Sequence, residues 1–94
     1  MIGTGKNHVL RIESVSWHGH QVVFTYDGTA EQCRHIWVEC NGSVLLHLVE
    51  NESGNFNIYR GGQSLGELMT DWEHFKPEWA LSYINPRDLD GWRL

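Results

Sequence analysis

Short alternating segments closed by tight turns constrain this chain more than any other feature. Val22, Phe24 and Tyr26 alternate with Val23, Thr25 and Asp27. Ile36, Val38 and Cys40 alternate with His35, Trp37 and Glu39. A period of two is the strand period, because successive side chains leave a strand on opposite faces. Bounding these runs stand His18-Gly19-His20, Asp27-Gly28 and Asn41-Gly42. Glycine and asparagine tolerate positive φ, which tight hairpin turns require.

The same reading extends in both directions. Val9 to Trp17 has strand composition, with Leu10 and Ile12 on one parity and Val15 and Trp17 on the other. That switch predicts a β-bulge near Ser14. Val44 to Val49 is apolar on both faces except at His47, the mark of a strand in the middle of a sheet. Asn51 to Asn55 is a turn, and Phe56 to Tyr59 a short fifth strand. Gly61-Gly62 then breaks the pattern. Ser64 followed by Glu67 has the capping-box spacing. Leu65, Leu68, Met69, Trp72 and Phe75 recur at helical spacing, which predicts one amphipathic helix ending before Pro77. Pro77 to Ile84 reads as a second short helix with proline at its first position, or as a strand with Trp79, Leu81 and Tyr83 on one face. The expected fold is α+β in a single domain over residues 1–94. It is an antiparallel meander of about five strands, packed by one C-terminal amphipathic helix, with a docked tail carrying Trp92 and Leu94.

Composition limits function more than it assigns one. The chain has 94 residues, 40% of them hydrophobic and 20% charged, so it can bury one core without a metal or disulfide. Its net charge is −5, with seven Lys and Arg. That argues against direct binding of nucleic acid, which needs a basic stripe. No stretch reaches the roughly 20 apolar residues of a membrane span. The opening residues lack a leader's apolar run, and two cysteines are too few for a disulfide framework. A cytoplasmic, reduced setting is the expectation. Asn41-Gly42-Ser43 and Asn51-Glu52-Ser53 fit the glycosylation pattern, but read as turns in that setting.

The reactive side chains form no catalytic set. Gly3-Thr4-Gly5-Lys6 lacks the spacing and the strand-to-helix context of a phosphate loop. His18 and His20 flank a turn and would need further ligands from His8, His35, His47, Cys33 or Cys40 to hold a metal. Cys33 and His35 share a strand face with no third residue to orient the imidazole. No cofactor, metal or catalytic residue is assigned, and the chain is not expected to be an enzyme.

Five tryptophans remain. Indoles enrich at protein-binding surfaces as well as in cores. Trp72 belongs to the helix stripe. Trp17, His35, Trp37 and Tyr26 would share an exposed sheet face. The leading expectation is a small acidic protein-binding protein, an inhibitor or immunity or antagonist type, that occludes a larger partner with a basic surface. Trp17, Trp37 and Trp92 would anchor it, and Glu67, Asp71 and Glu73 would steer the encounter. The alternative is a small-molecule or carbohydrate-binding module using Trp17, Trp37 and Tyr26. A homodimer is compatible with either.

Overall fold

Three two-residue turns organise the sheet. His18 and Gly19, Asn41 and Gly42, and Gly61 and Gly62 all take positive φ. Paired positive φ values match the right-handed twist of the strands that such turns join. The computed structural model describes residues 9–28, 34–87 and 89. Within them run β1 (Val9–Trp17), β2 (His20–Gly28), β3 (His35–Cys40), β4 (Ser43–Glu50), β5 (Phe56–Arg60), β6 (Gln63–Leu68) and α1 (Pro77–Leu81). The strands form one antiparallel six-stranded sheet in sequence order. The meander is therefore as expected, with a sixth strand added.

That sixth strand replaces the expected amphipathic helix. Gly61-Gly62 turns the chain back on β5, with Arg60 opposite Gln63 and Phe56 opposite Leu68. Gly66 sits at φ 130°, where no side-chain-bearing residue is comfortable and no helix passes. The apolar stripe is split accordingly. Met69 is 75% exposed, whereas Trp72 and Phe75 pack on the core from an irregular segment after β6. Ser64 and Glu67 cap nothing. The short helix after Lys76 does form, with Pro77 at its first position, where a missing N–H costs nothing.

The expected bulge near Ser14 is also absent. β1 pairs with β2 without interruption from Val9↔Gly28 to Trp17↔His20. The parity switch instead reflects an edge strand with apolar residues on both faces. Bulges lie elsewhere, at Leu45 in β4 and at Leu65 in β6, each the residue skipped in the register.

One sheet face makes the core. Val22, Phe24, Tyr26, Ile36, Val38, Cys40, Leu46, Leu48, Phe56 and Ile58 are buried there. Burial stabilises each large apolar side chain by about 1.5–3 kcal/mol. The segment after β6 covers this face with Trp72, Phe75, Ala80, Leu81, Ile84 and Leu89. Phe75 sits 6.3, 6.0 and 6.2 Å from the rings of Phe24, Tyr26 and Phe56. Arg34 makes a two-pronged ion pair with Glu50 at 2.9 and 2.8 Å and lies over the Trp72 ring at 5.1 Å. Of the docked tail, Arg87 and Leu89 are described, and Leu89 is buried. Trp92 and Leu94 lie outside the described residues.

Candidate functional site

The opposite face of the sheet has no element over it among the described residues. Cross-strand partners share a face in an antiparallel sheet. The register therefore places Leu10, Ile12, Thr25, Asp27, His35, Trp37, Glu39, Val44, His47, Val49, Tyr59 and Glu67 on this one surface. Leu10 and Ile12 are 63% and 65% exposed, and Val44 is exposed as well.

A ring assembly stands at its centre. The Trp37 indole and His47 imidazole stack face to face, 3.7 Å apart at 3°. His35 lies 5.0 Å from His47 at 12° and 6.2 Å from Trp37 at 11°. Those three separations form a right triangle. His35 and His47 are therefore side by side in one layer, and Trp37 lies in the layer beside it. His35 Nδ1 and His47 Nε2 meet at 2.8 Å, so one ring donates its N–H to the other ring's bare nitrogen. Burial chiefly, and the neighbouring His35 next, lower the pKa of His47 below the ordinary imidazole value. The ring is neutral at pH 7, the state the stack and the shared hydrogen bond both prefer.

The β4 bulge creates this assembly. A plain two-residue turn at Asn41-Gly42 would continue the Cys40↔Ser43 pairing and put Leu46 opposite Trp37. The extra residue Leu45 shifts the register by one, so that Trp37 faces His47 and Ile36 faces Leu48. One bulge thus sorts three side chains, Leu46 and Leu48 inward and His47 outward. Beside the stack a cleft of about 320 Å³ is lined by Trp37, Val44, Leu45, His47, Tyr59 and the Gly61-Gly62 turn.

The charges on this face have one sign. Among the described residues, its formal charges are Asp27, Glu39 and Glu67, and it carries neither Lys nor Arg. The arginines near the sheet are engaged on the core side. Arg34 pairs with Glu50, and Arg11 lies 4.2 Å over the Tyr26 ring.

The expected site residues are divided by the fold. Trp37 and Glu67 share the open face. Trp17 does not. It lies on the core side at the end of β1, partly buried, edge-on to His18 at 4.7 Å. Tyr26 is 2% exposed in the core and donates its hydroxyl to Glu13 at 2.9 Å, so it is no part of an exposed patch. Its pKa is raised by burial first and by Glu13 second. Asp71 and Glu73 belong to the segment covering the core. Asp71 accepts the backbone N–H and the ring nitrogen of His74, both at 2.8 Å, which lowers its pKa. Glu67 accepts hydrogen bonds from Asn51 and Asn55 at 2.8 and 3.2 Å and so braces the β4–β5 turn. Trp92 lies outside the described residues, as do His8 and Cys33.

His47 is the functional candidate that the residue pattern did not single out. Its signal was present as the one polar residue in an apolar strand. Among the described residues, no three His, Cys, Asp or Glu side chains gather as a metal site requires, and no helix is long and apolar enough to cross a membrane. In comparisons with known proteins, no family model, curated protein or solved structure matches the chain.

Proposed function

We propose that this chain is a small protein-binding protein of the inhibitor, immunity or antagonist kind, and that it occludes a basic surface on a larger partner with its open sheet face. The observation that carries this reading is the composition of that face. Exposed Leu10, Ile12 and Val44 share the face with an indole–imidazole stack, and among the described residues every formal charge on it is a carboxylate. Rigid aromatic anchors lose little entropy on binding and commonly dominate interface energetics. Carboxylates around them speed encounter with a cationic surface and disfavour acidic competitors. The same carboxylates disfavour stacking this face on a second copy of itself.

A small-ligand reading has one observation in its favour, the cleft beside Trp37, whose volume is at the small end for ligand sites. Against a sugar platform, His47 already covers one indole face at 3.7 Å.

The test is capture of partners on immobilised protein, eluted in rising salt, with wild type and two face variants side by side. A stoichiometric protein retained by wild type and released by salt, but not retained by Trp37→Ala or Ile12→Glu, supports the reading. Equal retention by both variants sinks it, as does a bait that binds nothing.

A further inference from the structure

We infer that the cleft lined by Trp37, His47 and Tyr59 is a socket for one arginine side chain of that partner. The inference rests on the protein-binding reading and specifies its anchor. Three observations lead to it. Its lining includes three rings, Trp37, His47 and Tyr59, beside the aliphatic Val44, Leu45 and Leu46. A guanidinium is planar, delocalised and weakly hydrated, so it stacks on such rings where a compact, hydrated ammonium gains less. Gly61 and Gly62 also line it and carry no side chains to fill it. The bulge residue Leu45, skipped in the β3–β4 ladder, lines it too, and a bulged residue's main chain is left out of the ladder's pairing.

The charges select a cation. The titratable groups facing the socket's side of the sheet are Asp27 from β2, His35 and Glu39 from β3, His47 from β4, Tyr59 from β5 and Glu67 from β6. β1 contributes only Leu10, Ile12, Ser14 and Ser16. Glu39 stands directly across from Val44 at the cleft's edge. Arg60, next to Tyr59 on β5, projects to the other face by strand alternation. Among the described residues, the only cation this face can acquire is the imidazole pair itself. Two facing ring nitrogens share one hydrogen, and a second proton leaves neither with an acceptor. Acid therefore places repelling charge beside the socket.

The experiment is a titration followed by amide and indole N–H resonances, using the arginine, lysine and norleucine N-acetyl amides on the full chain. The arginine compound is expected to shift the Trp37 indole N–H and the Gly61 and Gly62 amides, with roughly fivefold higher affinity than norleucine. Binding should weaken from pH 7.5 to 5.0. Val44→Arg, an exposed substitution that leaves the core intact, should abolish it. Equal binding of norleucine would make the cleft a plain apolar slot and overturn the inference. Equal binding of lysine would reduce it to bulk charge, and shifts that depend on protein concentration alone would assign the cleft to a second copy. Silence at these resonances also overturns the socket. If Trp37→Ala still abolishes partner capture, the binding face stands without it; if it does not, both fall.

Discussion

Two faces of one sheet are built from the same strands and end in different states. On one face, Phe24, Ile36, Val38, Leu46, Leu48, Phe56 and Ile58 are fully buried under Trp72, Phe75, Leu81, Ile84 and Leu89. On the other, Leu10 and Ile12 are about two-thirds exposed, and aromatic rings stack on one another rather than beneath a covering layer. Hydrophobicity does not separate the faces, since both carry large apolar groups. Charge does. The core side admits Arg11, Glu13, Arg34 and Glu50 as paired or ring-stacked groups at its margin. Among the described residues, the open side carries Asp27, Glu39 and Glu67 with no arginine or lysine. A face that only had to be soluble could mix both signs. Apolar exposure ringed by one sign is what a selective surface needs.

The largest effects should separate the faces by stability. Phe24→Ala or Phe56→Ala removes a fully buried ring and is expected to cost about 3–5 kcal/mol. Ile12→Ser on the open face should stay within about 0.5 kcal/mol. Urea denaturation of the three variants measures both. Comparable losses would mean that the open face is covered, and the contrast would fail. Trp37→Ala should reverse the ranking in binding. It is expected to weaken partner affinity by about 2 kcal/mol, roughly thirtyfold, while costing about 1 kcal/mol of stability through the lost stack. Partner affinity by calorimetry, set beside the denaturation midpoint, checks the split.

The covering of the core face is also where residue pattern and structure part. Alternation and turn chemistry revealed β2 to β4 and their hairpins, because each depends on neighbours in sequence. The Leu65–Phe75 stripe misled because helical spacing and a capping-box pair are local signals, whereas pairing with β5 is tertiary. The overlooked sign was Gly61-Gly62, a hairpin turn read as a break. The Trp37–His47 stack was hidden for a different reason. It depends on a one-residue bulge at Leu45, and nothing in Ser43-Val44-Leu45-Leu46 marks which residue is skipped. Gly66→Ala decides between strand and helix. In a helix, alanine would stabilise by about 1 kcal/mol. At φ 130° in β6 it should destabilise by about 1–2 kcal/mol. Thermal unfolding gives the sign directly.

The smallest effect should be the dependence of stability on pH at the stack. The pKa of His47 is lowered in the folded chain, by burial and then by His35. Unfolded, the ring returns to about 6.5. Between the lowered folded value and about 6.5, the unfolded chain therefore binds more protons, and stability must fall as the pH drops through that window. The chain holds six histidines, so the slope of wild type alone says little. The difference between wild type and His47→Gln isolates the pair, because glutamine keeps a hydrogen-bonding side chain opposite Trp37 but takes no proton. The variant is expected to lose less stability than wild type between pH 7 and pH 5. Core substitutions should lower both curves without changing that difference. Parallel curves for wild type and His47→Gln would mean that the His47 ring is as free to charge in the folded chain as in the unfolded one. The open face would then hold its imidazoles in water rather than against the indole, and the rigid anchor that distinguishes it from an ordinary exposed sheet would be lost.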